Sequence, residues 1–129
     1  DYIELQLPDE KIITRMDRTQ LIRIITNLVK NSIQAIPEEQ VEKKIQVQIR
    51  RAGNEVEISV SDNGTGIPPE NSDRIFEPKF TTKTSGMGLG LGIIKNIIEN
   101  YSGTITFETQ LGHGSTFYVR LPITKLVKL

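Results

Sequence analysis

Two stretches of strict alternation flank a turn near the middle of the chain. Ile45, Val47 and Ile49 alternate with Gln46, Gln48 and Arg50, and after Ala52-Gly53-Asn54 the pattern resumes with Val56, Ile58 and Val60. A period of two on both sides of a Gly-Asn turn predicts a β-hairpin with one buried face. Continuing that period, Asp62 falls on the same side as Val56, Ile58 and Val60, so its carboxylate is expected to point toward the core. An earlier alternation sets Ile3, Leu5 and Leu7 against Tyr2, Glu4 and Gln6, predicting a strand with one buried face before the turn at Pro8-Asp9-Glu10. A short strand through Ile12 and Ile13 follows.

Elsewhere the period lengthens to that of a helix. Leu21, Ile22, Ile25, Leu28, Val29, Ser32, Ile33 and Ile36 predict a helix from about residue 18 to Ile36, stopped by Pro37. Asp17 and Gln20 have the spacing of a capping box at its start. On the flank of the apolar stripe lie Asn27, Lys30, Asn31 and Gln34, a polar seam along a core helix. Pro68 to Ile75 has room for one or two helical turns. Residues 77–87 carry Lys, Thr, Ser and Gly with little apolar periodicity, as a mobile lid does. From Gly90 onward, Leu91, Ile94, Lys95, Ile97, Ile98 and Tyr101 predict a second long helix, with Gly103 as its terminating glycine. A closing hairpin joins Ile105 and Phe107, through QLGHGS, to Phe117, Val119 and Leu121.

Composition narrows the possible partners. At 129 residues and 36% hydrophobic, the chain fits one domain with a sizeable core. Lys plus Arg total 16 and Asp plus Glu total 16, so there is no basic footprint for nucleic acid and any anion must be held locally. With no cysteine there is no disulfide framework, thiol nucleophile or thiolate metal site, which is compatible with a reducing cytosol. No apolar run is long enough to span a bilayer, and no signal peptide is visible. The chain begins DYIELQ, without an initiator Met, and is expected to be a piece of something longer.

The candidate chemistry concentrates in residues 62 to 92, DNGTGIPPENSDRIFEPKFTTKTSGMGLGLG. GMGLGLG running into a helix start is suited to cradle an anion, because unpaired amides converge there and glycines accept positive φ. The spacing is neither a P-loop, for want of GK[ST], nor GxGxxG, and the absence of VAIK and HRD excludes a eukaryotic-type protein kinase. Asp-Asn-Gly alone is an ordinary turn. The inward parity of Asp62 changes that reading, since a buried carboxylate needs donors and a purine amine can be one. Gly64 and Gly66 remove side chains where a flat base would lie. Asn27 and Asn31 adjoin the stripe and are expected to line a cavity, where an amide oxygen is a hard neutral ligand for Mg²⁺ already partly coordinated by phosphate. His113, the only histidine, sits between glycines as a solvent-facing loop residue with no partner for a metal site or a triad.

Taken in order, these segments resemble the ATP-binding catalytic domain of sensor histidine kinases, in the GHKL superfamily with gyrase, MutL and the heat-shock chaperone ATPases. NLVKNSIQAI looks like the N box, DNGTGI the first glycine box, IFEPKFTTK the F box, GMGLGLGI the second glycine box and GHGSTFYVRLP the closing hairpin. Five motifs in correct order are very specific. The resemblance and the pattern together imply a Bergerat fold, an α/β two-layer sandwich with a mixed sheet of about five or more strands under about three helices. By resemblance, Asp62 binds the adenine amine, Thr116 assists from the last hairpin, and Gly64, Gly66 and Ile67 shape the base pocket. Asn31 is matched to the Mg²⁺ ligand, with Asn27 and Lys30 near the phosphates. Phe76 and Phe80 anchor a lid over about residues 77–89, Lys83 reaches the terminal phosphate, and Gly86, Gly88, Leu89 and Gly90 wrap the phosphate chain. Lys79 and Ser72 depart from the pattern, standing where apolar or aromatic residues are common.

The resemblance implies a cytoplasmic, monomeric nucleotide-binding domain, excised from a membrane-anchored or soluble parent. It would bind ATP with Mg²⁺ and deliver the γ-phosphate to a histidine on a separate dimerisation domain, from which a response regulator takes it. Asn27 stands where the hydrolytic branch has a Glu general base, and an amide has no usable basicity, so hydrolysis is expected to be poor. His113 does not fit the acceptor role. Two alternatives stay open at this point: a serine kinase of the anti-sigma type with the same fold, and a non-catalytic module whose lid reports ATP to a partner.

Overall fold

The computed structural model describes residues 3–77 and 90–128. Within them lie six strands, β1 (Ile3–Gln6), β2 (Glu10–Thr14), β3 (Ile45–Ala52), β4 (Glu55–Asp62), β5 (Thr104–Gln110) and β6 (Gly114–Lys128). Three helices accompany them: α1 (Arg18–Ala35), the single turn α2 (Pro69–Ser72), and α3 (Leu91–Asn100). The sheet order is β1-β3-β4-β6-β2, with β5 also paired to β6. Only β1 and β3 run parallel; the other pairs are antiparallel. The 15-residue β6 joins these pairings, lying between β4 and β5 along its first half and beside β2 along its second. The expected mixed sheet beneath three helices is thus present.

The β3–β4 hairpin forms where the alternation places it. Ala52 pairs with Glu55 across Gly53-Asn54, and Gly53 takes φ +66°, as a two-residue connection of this hand requires. One face of the sheet contributes Ile45, Val47, Val56, Ile58, Val60, Phe117, Val119 and Leu121 to the core. Ile24 and Leu28 of α1 and Ile94 and Ile98 of α3 close over it, all at most 1% exposed. Each such side chain contributes about 1.5–3 kcal/mol on leaving water.

Four sequence expectations need correction. First, β1 has no buried face: all four of its residues are exposed, Leu5 at 59%. It is an edge strand paired to β3, whereas α1 packs over β3, β4 and β6. Second, β4 is buried on both faces. Glu57, on the face away from the helices, is 2% exposed because Arg50 Nε and Arg120 Nη2 bind its two carboxylate oxygens at 2.9 and 2.8 Å. Third, the capping box does not form. Asp17 makes no side-chain cap, its carbonyl accepts from Leu21 N–H at 3.0 Å, and Gln20 turns inward with Oε1 shielded and no hydrogen-bond partner among the described residues. Fourth, Ser102 at φ 61° takes the left-handed position after α3, with Gly103 N–H closing back to Ile98 O at 3.0 Å. Gly103 is needed for a different reason: a Cβ there would lie 2.5 Å from Arg120 O.

The phase of α1 also differs from the expected stripe. Ile24, Asn27, Leu28 and Ser32 are its buried residues, while Ile22 and Ile33 are exposed. The seam that sequence placed on the flank therefore lies partly inside the helix–sheet layer.

Candidate nucleotide site

Strand β4 carries Asp62 out of the core at its last position. Its carboxyl group is half-buried, on the helix-facing side with Val56, Ile58 and Val60, as the period of two predicts. Burial pushes its pKa above the ordinary aspartate value, and three donors oppose that shift: Gly64 N–H, the Ser32 hydroxyl and Ser115 N–H. The Gly64 bond is 2.9 Å long. Three donors arranged around a partly desolvated carboxylate restrict its orientation.

The turn that follows is held from two sides. Thr65 N–H donates to Ala35 O at 3.0 Å, tying it to the end of α1, and Gly112 N–H donates to Thr65 O at 2.7 Å, tying it to the β5–β6 hairpin. Gly64 packs so closely that a Cβ would lie 2.3 Å from Ala35 O. Gly66 has φ +76°, and a Cβ there would lie 2.5 Å from Gln110 O. Both glycines are thus required by protein backbone, whatever room they also leave for a base. Ile67, half-buried against the core, donates its N–H to Thr109 Oγ1 at 2.8 Å.

The last hairpin presents a residue that sequence reasoning passed over. Ser115 is the direct partner of Asp62 across the β4–β6 ladder, so the two side chains share a face. The Ser115 hydroxyl lies 2.9 Å from Thr109 Oγ1. Thr116 pairs with Ser61 on the opposite face, their hydroxyls 2.8 Å apart, and so is not brought to Asp62. The signal was available: Ser115 continues the odd-numbered series Phe117, Val119 and Leu121 that builds the core side of β6. Ser32, one residue after Asn31, also reaches Asp62 and was missed.

On α1, Asn27 is 8% exposed and donates Nδ2 to Arg23 O at 2.7 Å. Asn31, one turn later, is half-buried, and Lys30 is exposed. Because Ser32 bonds Asp62, this turn of α1 abuts the carboxylate. The donor chemistry fits a magnesium ion that arrives already bound to phosphate. Asn31 can offer a hard neutral oxygen, and among the described residues no group of three or more His, Cys, Asp or Glu could hold a metal ion. Magnesium commonly keeps waters and phosphate oxygens with only one or two protein ligands.

Phe76 is half-buried beside the hairpin, edge-on to Phe107 at 5.8 Å, and Phe107 stacks on Phe117 at 5.6 Å. Lys95 Nζ of α3 lies 5.2 Å from the centre of the Phe76 ring. Gly90 stands at the N-cap of α3 in extended conformation, its carbonyl accepting from Ile93 and Ile94 N–H at 3.1 and 3.2 Å. Phe80, Lys83, Gly86, Gly88 and Leu89, with Lys79 and nearly all of the expected lid, lie outside the described residues. His113 is exposed on its loop, as expected.

Residues 16–125 match the family described as histidine kinase-, DNA gyrase B- and HSP90-like ATPase. The chain is 45% identical over 107 residues to the sensor histidine kinase ZraS of Escherichia coli, covering 83% of this chain and 22% of that protein. It is 41% identical over 123 residues to the alginate biosynthesis sensor protein KinB of Pseudomonas aeruginosa, covering 94% and 20%. The chain thus spans about a fifth of the length of these relatives. A solved catalytic domain of histidine kinase ThkA superposes with a TM-score of 0.77 at 35% identity, covering 94% of this chain and 79% of that one. A family match across most of the chain, relatives that are sensor histidine kinases and a shared fold agree with the half-buried carboxylate and its flanking glycines: this chain belongs to the histidine kinase-, DNA gyrase B- and HSP90-like ATPase family.

Proposed function

We propose that this chain binds ATP with Mg²⁺ and orients its γ-phosphate for transfer to a histidine on a separate helical dimerisation domain, the first step of a two-component relay to a response regulator. The observation that carries the reading is Asp62, a half-buried carboxylate with a raised pKa, held by Gly64, Ser32 and Ser115 at the end of a core strand. An adenine 6-amino group adds a further donor to this carboxylate, whereas guanine and hypoxanthine present a carbonyl there instead. Ser115 and Ile67 complete the base end of the site. Asn31 holds the cation, while Asn27 and Lys30 lie along the phosphates; the motif resemblance gives Lys83, Gly86, Gly88 and Gly90 phosphate contacts as well. The ion, when bound, shields phosphate charge during transfer.

Asn27 has an amide whose Nδ2 is committed to Arg23 O, so no carboxylate base for water stands at that position. The site therefore favours positioning over hydrolysis, and the nucleophile comes from another domain. The sensor histidine kinase relatives favour a histidine acceptor over a serine one. The test is calorimetric titration with ATP and Mg²⁺, followed by incubation with labelled ATP and the cognate dimerisation domain. ATP binding lost in Asp62→Asn and label appearing on that domain's histidine support the reading; unchanged binding in Asp62→Asn, or no transfer by wild type, defeats it.

A further inference from the structure

Strand β4 ends at Asp62, yet its ladder with β3 continues for one more rung built partly from a side chain. Asn63 N–H donates to Lys44 O at 3.2 Å, as the next rung of an antiparallel pair would. The return bond from Lys44 N–H goes to Asn63 Oδ1 at 2.9 Å instead of to the Asn63 main-chain carbonyl. The other end of the same amide, Nδ2, donates to Glu42 O at 3.0 Å. The released Asn63 carbonyl accepts Gln40 Nε2 at 2.9 Å, and that nitrogen also donates to Glu42 O at 2.8 Å. Two side-chain amides thereby replace backbone partners, and the main chain can leave the sheet at residue 63 with its polar groups satisfied. The departure carries Gly64 under Ala35 O and turns its N–H back onto Asp62 Oδ1.

We propose that Asn63 and Gln40 form a latch that fixes the direction in which the chain leaves β4, and so act as positioning residues for base recognition through Asp62. The inference rests on the reading that Asp62 receives the adenine 6-amino group. In that reading, Asn63 sits next to Asp62 in the chain and spends both ends of its amide on the 42–44 segment, away from the carboxylate. A latch of this kind affects discrimination between bases more than affinity for the polyphosphate, which both nucleotides share.

The test compares ATP with inosine triphosphate, whose base carries an oxygen where adenine has its amino group. Wild type should prefer ATP. Asn63→Ala should reduce that preference by about five-fold or more, with inosine triphosphate affinity within about two-fold of wild type, because a loosened carboxylate no longer distinguishes the two bases. Amide exchange at Lys44 should quicken in the same variant. An unchanged preference overturns the latch, and so does an equal loss of both affinities, which is what a merely structural role predicts. If Asn63→Ala fails to fold, Gln40→Ala decides, since it removes only two bonds from a partly exposed side chain: a smaller preference supports the latch and a wild-type preference overturns it. Wild type without any preference for ATP removes the Asp62 reading itself, which separates that failure from failure of the latch.

Discussion

Asp62 and Ser115 stand directly opposite each other across the β4–β6 ladder, whereas Thr116 turns to the far face and pairs with Ser61. On this geometry we expect Ser115, rather than Thr116, to act at the base end of the site. Ser115→Ala is expected to weaken adenine nucleotides by about three- to ten-fold, the scale of one modest hydrogen bond. Thr116→Val should leave affinity within about two-fold while costing about 1 kcal/mol of stability through the Ser61 hydroxyl. Titration calorimetry and thermal melts on both variants check this; the reverse order of effects would return the role to Thr116.

The raised pKa of Asp62 gives a signed pH dependence. Because its folded value lies above the unfolded value of about 3.8, its contribution to stability of the unliganded fold is fully present below that value and is lost as pH rises through the folded pKa. Nucleotide binding runs the other way. An amine donor favours the charged carboxylate, so ATP affinity should grow as pH rises through that same folded pKa, and added nucleotide should lower it. A carboxyl NMR titration with and without ADP reads both, and a midpoint unmoved by ligand would count against contact with the base.

Gly66 and Gly53 share positive φ but differ in surroundings. Gly66→Ala meets Gln110 backbone at 2.5 Å and should cost more than about 2 kcal/mol along with nucleotide binding. Gly53→Ala has nothing within 4 Å, so only the left-handed backbone is penalised, about 1 kcal/mol, and binding should survive. Denaturant titrations of the pair, with ATP affinity measured alongside, separate crowding from backbone conformation.

On the open face of the sheet, Glu57 is held by two half-exposed arginines, which predicts non-additive losses. Arg50→Ala or Arg120→Ala alone should cost no more than about 1.5 kcal/mol, since one partner remains. Removing both leaves a 2%-exposed carboxylate without either, and the double variant should lose about 3–5 kcal/mol, more than the sum. Strict additivity in a double-mutant cycle would show that the two contacts do not share the burden.

Much of the fold was legible because its core obeys simple periods. The β3–β4 hairpin, the inward parity of Asp62 and the limits of α1 followed from alternation and from Pro37. Phase was harder to read. In α1, apolar residues surround so much of the helix that hydrophobicity alone admitted more than one buried face, and the structure chose one that includes Asn27 and Ser32. Long-range pairing was harder still: nothing local in IELQ shows that β1 is an edge strand left uncovered, and while the hairpin register sets Arg50 opposite Glu57, nothing near them shows that Arg120 joins the pair. Ser115 was within reach of the same parity that placed Asp62. The motif-based match pointed instead to its neighbour Thr116.

Thr65 gives one main-chain group to the helix and the other to the hairpin, which makes its turn a strut between two elements far apart in the chain. Lengthening either support by a residue would dislodge the strut, so natural variation in loop length should be scarce at both of its footings. The opposite end of the sheet is tied more lightly, by Ile123 N–H donating to Asn54 O at 3.0 Å, and Gly53-Asn54 is where a reporter peptide could be spliced in without disturbing the nucleotide end.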